Sequence, residues 1–315
     1  MNLSKQAQLK RGATLVAVFW IMAVLGLAIV ASLRVVAYQI DVVDAQSSGI
    51  RARQAAEKGI SIAANPVVQP WEQQLLRQSF QDGTAFEASL TSEGKAFNIN
   101  YILLTLRDKA LLRIIFDYWG IETEDASAIA DALVDWVDPG DGEEINGAEA
   151  EYYESEGFLN RPFNRPFYDL DEMRLVRGMD IVEAARPDWR KWFTLWSDGG
   201  LDLNYAPPEF VAVAAEVDIE DAILLLQQID GPDGIRETED DTLFQNASEA
   251  FPTLGLSAEE EQRIGGRFTA GNISSGVSRI ESIGFSGGVR RKIVLILRNR
   301  SGNPVILDRR EELVQ

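Results

Sequence analysis

From Ala13 to Leu33 the chain carries neither charge nor proline. At 1.5 Å per helical residue this stretch is about 30 Å long, the thickness of a hydrocarbon core. The apolar pattern then changes without stopping. Val36, Ile40, Val43 and Ile50 recur at spacings of four, three and seven, and the first proline is Pro66. The spacing predicts one helix from Ala13 to about Ala64, roughly 75 Å long, half of it in lipid and half needing a partner surface. "NPVVQPW" (Asn65 to Trp71) ends that pattern as a linker, and Glu72 to Phe80 reads as a short helix. Thr84 to Tyr101 alternates Phe86, Ala88 and Leu90, turns at Glu93-Gly94-Lys95 and resumes at Phe97 and Ile99, the pattern of a hairpin. Strand patterns return only in Asn272 to Asn299 and Pro304 to Glu312, as further strands of the same antiparallel sheet.

Between these strand regions the periodicity is helical and weakly repeated. "FNINYILLTL" is followed by "ASAIADALVDWVDPGDG", and "LDLNYAPPEFV" by "EDAILLLQQIDGPDG". Each half gives an Asn-Tyr phrase, an amphipathic helix and a carboxylate-Gly-Pro turn. The expected organisation is a sheet domain built from 65–97 and 268–315, with a helical domain, 98–267, inserted into it.

Composition removes whole classes of function. The chain of 315 residues has 49 Asp plus Glu against 30 Lys plus Arg, a net charge of −19. A nucleic-acid partner is excluded, because such binding rests on neutralising phosphate. There is no Cys and no His. That excludes disulfides, thiolate nucleophiles, Ser-His-Asp triads and ordinary zinc sites. Carboxylate, Lys, Tyr and Ser chemistry remains.

Lys5, Lys10 and Arg11 precede the apolar run. The positive-inside rule puts the N-terminus in the cytoplasm and the bulk of the chain across the membrane. The run is too long for a secretory signal, whose apolar region is about 7–15 residues, and no small-x-small cleavage site follows it.

"KRGATLVAVFW" (Lys10 to Trp20) resembles the prepilin leader of type IV pilins and type II secretion pseudopilins. The resemblance implies a leader, 1–12, removed by a prepilin peptidase between Gly12 and Ala13, N-methylation of Ala13, and a mature helix over 13–64. Most such subunits carry Glu at the fifth mature position, which here is Ala17. That departure resembles the type II secretion minor pseudopilin K family, whose members typically lack the Glu. The same family is resembled by "LNRPFNRPFYDLDEMRLVRGM" (Leu159 to Met179), in which Asn-Arg-Pro precedes a helix reading Glu-x-x-x-Val-Arg-Gly. Asp169 or Asp171 is expected to cap that helix and Gly178 to end it, with Arg165 and Arg174 pairing to the acidic loop.

What the family implies is an α+β chain of type IV pilin-like fold. A long N-terminal transmembrane helix packs on a small antiparallel sheet, with a large inserted all-α domain of SAM-like or helix-hairpin-helix repeats. It implies a non-enzymatic inner-membrane subunit capping the tip of the periplasmic pseudopilus. Its partners would be minor pseudopilins I and J, the prepilin peptidase, other pseudopilins and the inner-membrane assembly platform. A minor pilin of a type IV pilus, or a membrane-anchored calcium-binding interaction module, is the alternative.

The densest group of oxygen ligands is "VDWVDPGDGEEINGAEAEYYESE", with Asp135, Asp138, Asp141, Glu143, Asn146, Glu149 and Glu151 among glycines. The residues alone are compatible with a solvated acidic loop or with a hard cation wrapped by six to eight oxygens. Resemblance to the family's "DWxDxxD … GAExxYY" segment implies structural calcium. Trp189, Trp192, Phe193 and Trp196, three and four residues apart, are expected to be core. "VRRK" (Val289 to Lys292) and "DRR" (Asp308 to Arg310) are expected to be solvated strand faces.

Overall fold

The computed structural model describes residues 3–140, 142–236, 238–271, 273 and 276–313, with side chains from Val16 to Glu312. Helix α1 (Leu3–Ala63) is one piece of 61 residues. It starts ahead of Ala13 and passes through Gly12 without a break. Its second half buries a stripe of alanines, Ala52, Ala55, Ala56 and Ala63, with Ile60 among them, at helical spacing. Val36, Ile40, Val43 and Ile50 remain more than half exposed.

Past the prolines come α2 (Gln73–Leu76), β1 (Arg77–Ser79) and β2 (Ala85–Ser92), so Glu72 to Phe80 is part helix and part strand. Then follow β3 (Phe97–Asn98), α3 (Lys109–Tyr118), α4 (Thr123–Val137), α5 (Ala150–Ser155), α6 (Met179–Ala185) and β4 (Phe193–Thr194). A second series holds β5 (Leu201–Asp202), α7 (Pro208–Ala215), α8 (Ile219–Ile229), α9 (Ala258–Ile264) and β6 (Phe268–Thr269). The chain ends with β7 (Val277–Ser286), β8 (Val289–Arg298) and β9 (Val305–Leu313).

The main sheet has the order β1-β2-β7-β8-β9, antiparallel throughout. One face, with Phe86, Leu90, Ile280, Ile293 and Leu295, packs on the small-residue stripe of α1. The expected hairpin does not form. After Ser92 the chain leaves the sheet: β2 takes β7 as its neighbour, and β3 pairs in parallel with β4. The cause is aromatic burial, since Phe97 stacks on Trp192 and Phe210 of the insertion, with ring centroids 6.2 and 5.7 Å away.

The insertion has its own core, from Phe97 to Phe268. It is not wholly helical, because it contains two short parallel strand pairs, and they show the repeat to be longer than its sequence suggests. β3 to β4 and β5 to β6 are two copies of one plan. Each opens with a strand, continues through a helical hairpin (α3–α4 or α7–α8), an acidic turn, a 3-10 turn and a short helix (α6 or α9), and closes with a strand parallel to the first. The Asn-Tyr phrase holds both copies together. Asn100 donates to the carbonyl of Phe167 and accepts from its N–H, both at 2.9 Å. Asn204 does the same with Phe244, at 3.0 and 2.9 Å. In each copy a side-chain amide stands in for a missing strand, pairing backbone groups that burial would otherwise orphan.

Where the insertion joins the sheet fixes its position. Ser92, Ser278 and Leu297 lie in register at one end of the strands, and Arg300 just beyond them donates Nη1 to the carbonyls of Ala63, Asn65 and Val68. That end of the sheet is therefore the C-terminal end of α1, the end away from the apolar segment.

Candidate assembly surface and acidic loop

Two features carry the functional reading: the uncovered part of α1 and the loop after α4. In α1 the most apolar window is entirely uncovered by the rest of the chain, and among the described residues it is the one helix long and apolar enough to cross a membrane. Gly12 and Ala13 lie within the helical backbone of α1. From Val35 to Ile50 the apolar side chains continue exposed, until the alanine stripe engages the sheet. The attachment there combines packing with ion pairs, Arg53 to Glu311 at 2.7 Å and Arg309 to Glu57, which join α1 to β9.

The acidic loop is organised by α4. Asp131 and Asp135 are four residues apart, on one face of that helix, and both are buried. Asp135 accepts from the backbone N–H groups of Glu144 and Ala148, at 3.0 and 2.8 Å, so the loop folds around its carboxylate. Burial pushes the Asp135 carboxyl up, against the pull of those two bonds. Gly147 makes the wrap possible, since a Cβ there would collide with the Asp135 carboxylate. Asp131 pairs with Lys109 at 2.8 Å and accepts from the Asn146 backbone at 3.2 Å. Lys109 also holds Glu144 at 2.8 Å, and Arg177 donates to the Gly147 carbonyl at 2.8 Å. The cations on the loop are therefore Lys109 and Arg177. Arg165 pairs with Glu172 and Arg174 with Glu183 instead, because both arginines sit on the far segment with nearer acids.

Asp141 lies outside the described residues. Glu143, Asn146 and Glu151 are exposed, while Glu149 is buried. Among the described residues no group of three or more Asp or Glu side chains converges on one point. Buried oxygens there are nevertheless left without a hydrogen bond among the described residues, including Asp138 Oδ1 and Asn164 Oδ1. Asn164 is fixed next to the loop, its N–H donating to the Trp136 carbonyl at 3.1 Å. A carboxylate oxygen and an amide oxygen only accept, and they are the donor types a calcium ion takes, so the residues present fit that ion. Sequence spacing missed Asn164, which is 26 positions beyond Asp138; the doubled Asn-Arg-Pro-Phe phrase was its only mark.

Asp169 caps the 3-10 turn after that phrase, accepting from the Asp171 N–H at 2.9 Å. Gly178, with φ of 80°, separates that turn from α6, and a Cβ on it would strike Ile129. Trp189, Trp192 and Phe193 are core, and Trp196 is half-buried.

Residues 96–187, almost the whole first copy of the repeat, match the family model of type II secretion system (T2SS), protein K. This segment is similar to protein K of type II secretion systems. The type II secretion system protein K of Klebsiella pneumoniae is 32% identical over 130 residues, 38% of this chain and 39% of that relative. The alignment thus spans well under half of the relative's length. A chain of the crystal structure of the GspK-GspI-GspJ complex from the enterotoxigenic Escherichia coli type 2 secretion system superposes with a TM-score of 0.57. The superposition covers 89% of this chain and 100% of that one at 14% identity. That likeness is one of fold. The protein K match falls on the copy that carries the acidic loop and the Asn-Arg-Pro-Phe phrase.

Proposed function

We propose that this chain is a minor pseudopilin of a type II secretion machine that caps the periplasmic pseudopilus and helps to start its assembly. Placement of the insertion carries the reading. It leaves the sheet at Ser92 and returns at Val277, at the end of α1 remote from the apolar segment. A helical filament grows only where each contact can repeat, and a module of this size on the outer end occupies the place of the next subunit. The exposed stripe from Val35 to Ile50 is left for helices of neighbouring subunits. Counterparts of minor pseudopilins I and J are the neighbours this reading expects, as GspK is crystallised with GspI and GspJ.

In this reading the N-terminus is cytoplasmic, the apolar part of α1 crosses the inner membrane and the remainder is periplasmic. Prepilin peptidase cuts between Gly12 and Ala13, and the Ala13 amine is methylated. The role is assembly, not catalysis. Asp138, Asp141, Glu149 and Asn164 hold calcium in the acidic loop, which Asp135 and Gly147 shape. The ion supplies positive charge that draws the loop and the Asn-Arg-Pro-Phe segment together.

The test is subunit placement in purified pseudopili, by immunogold labelling. Label confined to one end is expected. A variant in which a short Gly-Ser linker replaces 93–276 is expected to lose end restriction. Intact chain labelled along the filament length would overturn the capping role.

A further inference from the structure

The face of the sheet turned away from α1 meets the insertion across a cleft of about 830 Å³. Its walls come from both modules: Thr91, Arg279, Glu281 and Lys292 from the sheet, and the segments around Arg186, Pro207 and Arg236 from the insertion. A smaller cavity of about 310 Å³ continues it, sharing Glu93, Arg190, Lys191, Phe193 and Arg279. The shared walls make one elongated groove. Its shape suits a chain in extended conformation better than a compact small molecule.

Charge in the larger cleft is opposite to that of the molecule. The chain has 49 acidic residues to 30 basic, yet seven basic and five acidic side chains line this cleft. All five acids are engaged within the cleft, Glu93 with Arg279 and the Thr194 hydroxyl, Glu281 with Arg279 and Lys292, Asp188 and Glu209 with Arg186, and Asp230 with Arg236 at 3.1 Å, so the two-cation excess is what the cleft can offer a partner. Arg186 spends Nε and Nη2 on Asp188 and Glu209 and has no further bond among the described residues, leaving a guanidinium donor over the Trp192 ring. Lys191 on the rim is 78% exposed and, among the described residues, held only by Asp188, at 3.6 Å. Apolar surface from Pro207, Pro208 and Leu226 lies between these cations.

We propose that this groove docks an extended acidic segment of a partner protein. Carboxylates of that segment meet the Arg186, Lys191 and Arg236 side of the cleft, and interspersed apolar side chains meet the proline wall. Charge complementarity chooses the partner, because a basic segment would be held by the rest of this acidic surface and not by this cleft. The inference does not depend on which filament the chain belongs to.

The test uses the full chain in detergent micelles and fluorescence anisotropy of two labelled decapeptides, one alternating Glu and Phe, the other alternating Lys and Phe. Saturable binding of the acidic peptide is expected, weakening with salt. Lys191→Glu is expected to raise its Kd about tenfold, and Arg236→Gln to raise it in the same direction. Arg113→Glu, on an exposed face outside the groove, is expected to leave it unchanged. A melting midpoint for each variant equal to the parent's excludes unfolding as the cause. No saturation of the acidic peptide would overturn the proposal, as would equal losses with Lys191→Glu and Arg113→Glu.

Discussion

Gly284 of β7 lies directly against Ala56 of α1. A Cβ on Gly284 would collide with the Ala56 nitrogen and the Ala52 carbonyl oxygen, both of them backbone atoms that cannot swing aside. Gly59 is the reciprocal contact, where a Cβ would run into the Ser282 hydroxyl and the Phe86 ring. Helix and sheet approach until main chain touches main chain. Gly284→Ala is therefore expected to cost about 1–3 kcal/mol or more, the range for overpacking, and to lower the thermal midpoint of the full chain in detergent. Gly26→Ala, with nothing within 4 Å, is the control expected to leave it in place. Equal midpoints for Gly284→Ala and the parent would refute the contact.

Arg300 performs a second joining task. Buried, it puts one nitrogen on three carbonyls at and just beyond the C-terminus of α1, that of Ala63 among them, where helix carbonyls run out of intrahelical partners. Burial lowers its pKa, yet the negative end of the helix favours the cation. Arg300→Met keeps much of the volume and removes the donors. We expect a loss of about 2–3 kcal/mol, read as a shift in urea midpoint at unchanged slope. A smaller slope would mean instead that the two ends of the sheet domain come apart separately.

How far the sequence foretold this architecture depends on the range of the interaction. The end of α1 near Ala64 and the three C-terminal strands follow from local periodicity and are present, whereas α1 starts ten residues ahead of the expected Ala13. The hairpin at Glu93 failed because strand alternation at Phe97 and Ile99 records only that alternate residues are buried, not which core buries them. Sequence showed the Asn-Tyr repeat but not its meaning. Asn100 and Asn204 find Phe167 and Phe244 at 67 and 40 positions' distance, and no local spacing encodes that. For the acidic loop, the carboxylates were visible as a group, whereas the division into Asp135 shaping the backbone and Asp138 left orphaned appears only in three dimensions.

The amide clamps make a paired prediction. Asn204→Asp retains the acceptor for the Phe244 N–H but sets a carboxylate oxygen against the Phe244 carbonyl. A cost of about 1–3 kcal/mol is expected, and a similar one for Asn100→Asp at Phe167. Since the two clamps lie in different copies, the double variant should show additive losses within about 0.5 kcal/mol. Strong coupling would show that the copies do not hold their folds independently.

Asp202, at the position in the second copy that Asn98 holds in the first, gives the chain a pH dependence. Burial pushes its carboxyl up to about 6, against hydrogen bonds from Ser92 and from the N–H groups of Gly271 and Asn204. The folded state thus binds this proton more tightly than the unfolded chain, whose carboxyl has the ordinary value of 3.8. Stability from this group is greatest below about 4 and falls as pH rises to about 6, above which the cost is constant at about 3 kcal/mol. Glu281 acts oppositely. Burial raises it, but Lys292 and Arg279 outweigh burial and bring it to about 2, so its contribution is lost only as pH falls below about 4.5. Between pH 7 and 5 Asp202 dominates, and the melting midpoint should rise on acidification. Asp202→Asn should flatten that rise; an unaltered profile would remove Asp202 as its source.

Calcium offers the sharpest test of the acidic loop, because an ion that binds only the folded chain stabilises it by RT ln(1 + [L]/Kd). At 100 times Kd the gain is about 3 kcal/mol. The full chain is expected to melt higher in millimolar calcium than in chelator, and Asp138→Asn or Asn164→Ala to abolish most of the difference. Asn164→Ala is the more telling change. It removes an orphaned oxygen, and because Asn164 has a positive φ of 49°, which alanine adopts less readily than asparagine, its midpoint in chelator should fall somewhat while the calcium increment is lost. A midpoint lowered equally in both conditions would make Asn164 a packing residue. A parent whose midpoint ignores calcium would return the loop to a solvated acidic turn held by Lys109.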